Sequence, residues 1–164
     1  MKNTTTIALI LVLLGIGGLL LYIKVGKTAD GISIGDKALD IKFTALDGSY
    51  FKLSDQRGKI VVVDFMTTTC PVCIEEFNVL RQFKGDGRAI FISINVDGSN
   101  SDDLRYFAAY YGLNWMVGSS QSAGVDYKVS GVPTLLVIDK DGMIKYRDYY
   151  TSFEKLNQVI NQYS

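Results

Sequence analysis

Histidine is absent from the 164 residues, and cysteine occurs only twice. Without histidine there is no Ser-His-Asp triad, no Cys-His nucleophile pair and no histidine-based metal site. The two cysteines, Cys70 and Cys73, are separated by Pro71 and Val72. A pair this close cannot staple distant parts of a fold, so stability is a weak reason for it. A zinc site would have to recruit a second chain or several carboxylates. Neither charge is in excess: 17 basic residues face 17 acidic ones. Setting aside Lys2, Lys24 and Lys27 near the N-terminus leaves a slightly acidic remainder. No basic run is present, and nothing favours nucleic-acid binding. Internal repeats and low-complexity segments are also missing.

One long hydrophobic run is present. Thr6 to Ile23 (TIALILVLLGIGGLLLYI) carries no charge over 18 residues. As a helix it spans roughly 27 Å, close to a bilayer core of about 30 Å. Tyr22 falls at the expected interfacial position, and glycines are tolerated in such helices. A cleaved signal peptide would have a shorter apolar region followed by a small-x-small site; Lys24-Val25-Gly26-Lys27-Thr28-Ala29 lacks a good one. The expected organisation is therefore a tail over 1–5, a transmembrane anchor over 6–23, a linker over 24–34 and one domain over 35–164. The flanking lysines nearly cancel under the charge rule. The expectation that the domain lies outside the cytoplasm rests more on its thiol chemistry than on charge.

Along the domain, Ile41–Thr44 and Tyr50–Leu53 flank Asp47-Gly48, a hairpin signal. Ser54–Lys59 reads as a loop. Ile60–Phe65 (IVVVDF) is a β-branched apolar run suited to a strand buried on both faces. Cys70–Lys84 has helical periodicity, with Ile74, Phe77, Leu80 and Phe83 along one side, and Ala89–Val96 is the next buried strand. Together these make a βαβ unit. Ser101–Tyr111 predicts a helix capped by Ser101, and Ala123–Tyr127 a short helical turn. Thr134–Asp139 and Met143–Asp148 predict strands. The last helix is capped by Ser152, with Phe153, Leu156, Val159 and Ile160 on one face.

Cys70 falls where a buried strand hands over to a helix. A helix N-terminus carries partial positive charge and unpaired N–H groups, both of which favour a thiolate. Pro71 suits the first turn. Cys70 is the expected exposed nucleophile, attacking a partner disulfide to form a mixed disulfide. Cys73, one helical turn on, is expected to resolve it. The bland alternative is an inert disulfide. Gly131-Val132-Pro133-Thr134 precedes a strand and alone would be an ordinary turn. Beside a Cys-x-x-Cys, a cis peptide there would put the Val132 backbone next to Cys70, free to pair with an extended partner segment. Pro71, Val72, Val132 and Pro133 form the expected substrate-binding set.

Asp64 interrupts the buried strand. A buried carboxylate is costly and its pKa rises, so Asp64 could take the proton of Cys73. The alternative is an aspartate satisfied by a lysine or a backbone amide. Glu76, three residues after Cys73, could raise the pKa of a nearby thiol, or could be a solvated helix charge. Glu75 should point to the surface.

VVVDFMTTTCPVC resembles the strand-to-active-site segment of thioredoxin-like proteins. The likeness extends to the membrane-anchored TlpA/ResA thiol-disulfide oxidoreductase family. Gly35-Asp36-Lys37-Ala38, Leu46-Asp47-Gly48 and Leu53-Ser54 before Gly58-Lys59 are similar to its N-terminal hairpin. Glu76-Phe77 is similar to its helix signature, and Val125–Val129 before Gly131-Val132-Pro133-Thr134 to its approach to the cis-proline. The resemblance implies an α/β, thioredoxin-like fold: a central mixed β-sheet flanked by helices, with an N-terminal β-hairpin and a single N-terminal transmembrane helix. It implies Cys70 as nucleophile, Cys73 as resolving thiol, Pro133 cis and Asp64 in the place of the buried acid of thioredoxins. No cofactor beyond the redox-active Cys70–Cys73 disulfide is expected. Implied partners are protein thiols and disulfides, often the cysteines of apocytochromes c or copper-site proteins, and an upstream redox partner. Thr69 stands where the family usually has tryptophan, and Asn78 where it often has proline.

Other readings compete. Thr67–Cys70 resembles the T-x-x-C of peroxiredoxins, although Val63 replaces the proline expected earlier. A copper-site assembly factor of the Sco type shares the fold and anchor but has a longer cysteine spacing and a histidine. A non-catalytic scaffold domain is the third reading.

Overall fold

A computed structural model describes residues 30–164; the anchor expected over 6–23 lies outside them. Among the described residues no helix is long and apolar enough to cross a membrane.

The chain order is β1 (Asp30–Gly31), β2 (Lys37–Ala38), β3 (Lys42–Thr44), β4 (Tyr50–Lys52), β5 (Ile60–Met66), α1 (Pro71–Arg81), β6 (Ala89–Asn95), α2 (Ser101–Tyr110), β7 (Met116–Ser119), α3 (Gln121–Asp126), β8 (Thr134–Ile138), β9 (Ile144–Asp148) and α4 (Phe153–Tyr163). The main sheet runs β7-β6-β5-β8-β9. β5, β6 and β7 are parallel, and β8 and β9 add antiparallel strands on the other side. This is the mixed sheet expected, and β3 and β4 form the expected hairpin.

β5 is central, and all seven of its residues are buried. Alternation sends Val61, Val63 and Phe65 into one core with Phe43, Phe51 and Tyr127, because successive side chains point to opposite faces. Ile60 and Val62 pack on the other face with Val79, Leu80 and Phe83 of the α1 segment and Leu156, Val159 and Ile160 of α4. Met66 joins Cys70, Cys73, Phe77 and Leu104 in a third cluster. A strand covered on both faces can be continuously apolar, which explains IVVVDFM. The hairpin docks on the sheet edge through an Ala45–Gly118 bridge. A side chain at Gly118 would run into the Phe43 ring and the Thr44 carbonyl, so only glycine allows this approach.

Four local details differ from expectation. Asn100, not Ser101, caps α2: its Oδ1 accepts from the N–H groups of Asp102 and Asp103 at 3.0 and 2.9 Å. Asn and Ser are comparable caps, so sequence alone does not separate neighbours. Asp30–Gly31, inside the expected linker, pairs with Lys37–Ala38, and the Ile32 carbonyl accepts from Arg147 at 3.0 Å. The end of the tether is thus fastened to the domain. Leu53–Gln56 forms a 3-10 turn within the expected loop. Ile74 is only half-buried; the face of α1 that turns inward carries Cys73, Glu76, Phe77, Val79 and Leu80.

Candidate active site

The site forms where β5 ends and α1 begins. Cys70 is the N-cap residue of α1, with extended backbone angles, and Pro71 opens the first turn. Cys70 and Cys73 are joined as a disulfide, their Cα atoms 5.4 Å apart. The Cys73 N–H donates to Cys70 Sγ at 3.1 Å. The sulfur thus does what a Ser or Asp oxygen does at other N-caps, accepting from one of the helix's unpaired N–H groups. No acidic residue lies in the first turn of α1, so nothing there offsets the positive end of the helix dipole. Once the disulfide is reduced, both effects stabilise Cys70 as thiolate.

The expectation that Cys70 is well exposed needs correction. It is only 8% exposed, and Cys73 is fully buried. The reason is the approach of the Gly131–Pro133 loop: the Val132 carbonyl oxygen is 3.5 Å from Cys70 Sγ. The Val132–Pro133 peptide is cis. Cys70 remains the more accessible sulfur, next to an exposed Val72. Cys70, Cys73, Pro71, Val72, Val132 and Pro133 therefore come together as expected.

The loop before Cys70 is held from below. Asp97, just past β6, accepts from the Thr68 N–H and hydroxyl, both at 3.0 Å, from the Asn95 side chain at 2.7 Å and from the Ser99 N–H at 2.7 Å. Partial burial pushes its pKa up, but the hydrogen bonds from Ser99, Asn95 and Thr68 outweigh that and hold it well below the usual carboxylate range.

Two buried carboxylates lie on the two elements that meet at the site, Asp64 on β5 and Glu76 on α1. Asp64 and Glu76 are both fully inaccessible. Among the described residues Asp64 has neither a lysine nor a backbone partner; its Oδ2 accepts from the Ser93 hydroxyl at 2.7 Å. Burial pushes its pKa up to about 7, against the Ser93 hydrogen bond. Glu76 is not a solvated charge: its Oε2 accepts from the Thr151 N–H at 3.0 Å. Burial pushes it up to about 8, the Thr151 bond opposes this, and the charges of Asp64 and Asp148 add to it. Among the described residues Asp64 Oδ1 and Glu76 Oε1 have no partner. Two buried acids poised near neutrality can take and return a proton. Glu75 is exposed, as expected.

Residues 33–160 match the model of the Redoxin family. The chain belongs to the Redoxin family. Within it, this Redoxin is 31% identical over 144 residues to the thiol-disulfide oxidoreductase ResA of Geobacillus kaustophilus, covering 84% of this chain and 82% of that one. It is 27% identical over 142 residues to the thioredoxin-like protein YneN of Bacillus subtilis, covering 84% of each. Among solved structures, one named for the thiol:disulfide interchange protein DsbE of Chlorobium tepidum matches with a TM-score of 0.71 and 26% identity, over 80% of this chain and 98% of that one. With the Cys70–Cys73 pair in place, this Redoxin is a ResA-like thiol-disulfide oxidoreductase.

Three polar residues around the buried acids went unread in the sequence, as did Asp97 beneath the Thr68 loop. Ser93 could have been found: it interrupts AIFISINV as Asp64 interrupts IVVVDF, and the parallel register pairs the two. Trp115, whose indole N–H donates to Ser93 Oγ at 2.9 Å, and Thr151, which acts through its backbone, leave no comparable trace.

Proposed function

We propose that this Redoxin works on the extracytoplasmic side of a membrane, anchored through 6–23, where it reduces disulfides in the cysteine pairs of apocytochrome c or similar metalloproteins. The observation that carries the reading is the placement of Cys70: it caps α1 as the outer sulfur, within 3.5 Å of the Val132 carbonyl. An extended segment bearing a disulfide can lie along Val132 and present its sulfur to Cys70. The name ResA, carried by relatives with this domain over most of their length, supports the same class of work.

In each turnover the Cys70 thiolate attacks a partner sulfur, and the partner's other sulfur leaves. Cys73 then attacks Cys70 Sγ, closing the Cys70–Cys73 disulfide and freeing the reduced partner. Asp64 takes the Cys73 proton, and Glu76 sets how readily it can. An upstream dithiol donor restores the pair, and no further cofactor is required.

The test is trapping with the full chain in its host membrane. Cys73→Ser should accumulate mixed disulfides with natural partners and Cys70→Ser few; equal trapping by both would overturn the assigned roles. The reduction potential tests direction: a value near about −270 mV marks a reductant, one near about −120 mV an oxidant. A thiol reagent that cannot cross the membrane should label reduced Cys70 in intact cells; protection until lysis would place the domain in the cytoplasm.

A further inference from the structure

The buried polar cluster around Asp64 contains a donor chain that the exchange chemistry does not by itself require. Trp115 Nε1–H donates to Ser93 Oγ at 2.9 Å, and Ser93 Oγ–H donates to Asp64 Oδ2 at 2.7 Å. An indole N–H is a donor only, and a hydroxyl has one proton. If Asp64 carried its proton on Oδ2, that proton would face the one on Ser93. The hydroxyl would have to turn away, and among the described residues its proton has no other acceptor. Oδ2 is therefore an acceptor whether Asp64 is charged or neutral. The proton must come and go at Oδ1, which is buried and without a partner.

We propose that Ser93 and Trp115 are positioning residues for proton transfer at the cysteine pair, donating in series to Asp64 Oδ2 and so confining the exchangeable proton to Oδ1. The proposal rests on the exchange reading above. Asp64 lies on β5 between Val62, which packs under α1, and Met66, which packs with Cys73. The acid therefore sits on the face of the sheet that α1 covers. Glu76 is held in the same way, its Oε2 bound to a backbone N–H and its Oε1 left over. The other titratable groups that act on the pair or feel its charge are Asp148 and Tyr146 on β9, and Cys73 precedes Glu76 by three residues on α1. No lysine or arginine among the described residues is ion-paired to Asp64 or Glu76.

In the resolving step the Cys73 thiol proton moves to ionised Asp64 Oδ1. The freed electron pair on Cys73 sulfur forms the bond to Cys70 Sγ. The bond from Cys70 to the partner sulfur breaks, and the partner leaves as a thiolate. The Ser93 hydrogen bond favours the ionised acid, so it widens the pH range in which this transfer works.

The experiment follows oxidation of the reduced full chain by dithiobis(nitrobenzoate) in stopped flow. The first thionitrobenzoate is released in a concentration-dependent phase as Cys70 attacks. The second is released in a concentration-independent phase as Cys73 resolves. Ser93→Ala should leave the first phase unchanged, move the pH midpoint of the second up by about one unit and slow it about three- to tenfold at pH 7. Ser93→Thr should restore the profile. Trp115→Phe, which keeps an aromatic ring and removes the N–H, should shift the midpoint in the same direction by less. An unmoved midpoint in Ser93→Ala and Trp115→Phe overturns the proposal, as does equal slowing of both phases at every pH. A reduced wild-type chain that releases no thionitrobenzoate would overturn the exchange reading itself. Normal biphasic release with an unmoved midpoint would remove only this inference.

Discussion

Asp64 on β5 and Glu76 on α1 form a buried acid pair in which each carboxylate has one oxygen held by a protein donor and one without a partner. The charge of Asp64 raises the pKa of Glu76. Neither is accessible to water, so their ionisation costs the fold free energy.

That cost has a definite sign with pH. Both folded pKa values, about 7 and about 8, lie above the ordinary carboxylate range. The folded state therefore holds more protons than the unfolded chain between about pH 4 and pH 8, and stability falls as pH rises through this window. Below it both states are protonated and there is no penalty. Glu76→Gln should be close to wild type at pH 4 and more stable at pH 8.5, by on the order of 2–4 kcal/mol. Urea unfolding of the oxidised protein at the two pH values checks this; a difference that does not grow with pH would remove Glu76 as a buried acid.

Asp64→Asn keeps the Ser93 hydrogen bond within reach but cannot accept a proton. Resolution by Cys73 should slow by at least about tenfold at neutral pH while the attack of Cys70 changes little. Single-turnover kinetics separate the two steps. If both rates match wild type, Asp64 has no part in the mechanism.

Asp97 holds the loop before Cys70 through both polar groups of Thr68. Asp97→Ala should free the Thr68 and Ser99 amides. Their hydrogen exchange should speed up while that of β5 stays unchanged. In the wild type the low pKa of Asp97 means that its contribution is present above the ordinary carboxylate pKa and is lost as pH falls through the depressed value. The loop should therefore loosen in acid. Exchange rates at Thr68 that do not respond to the substitution would show that the loop is held by something else.

Tyr127 packs its buried ring 5.4 Å from that of Phe65 and donates its hydroxyl to the Leu39 carbonyl at 2.6 Å. Tyr127→Phe keeps the packing and strands that carbonyl, costing about 1–2 kcal/mol. Tyr127→Ala also opens a cavity and should cost about 3–5 kcal/mol. Urea midpoints of the two variants measure the hydrogen bond and the packing separately; equal losses would mean that the ring contributes nothing beyond its hydroxyl.

The chain's own pattern was sufficient for the elements nearest the chemistry. The run from Ile60 to Phe65 suits a doubly covered strand, because it is β-branched and too short for an ordinary buried helix. A Cys-Pro pair just beyond it, past Thr67–Thr69, suits the opening of a helix, because proline is favoured where no N–H is needed. Those two constraints are local, and they place Cys70 and Cys73 one turn apart. Tertiary structure decided everything that depends on who faces whom. Glu76 read equally well as a solvated charge until Thr151, 75 residues away along the chain, was found donating to it. Ser93 and Trp115 join Asp64 only through the register of β5 and β6 and the packing of the chain before β7. Cys70 is shielded because a loop more than sixty residues later carries Val132 to it. Local spacing fixes helix phase and strand alternation. The ionisation of a buried group depends on the donors and charges around it, and those come from segments that only folding brings together.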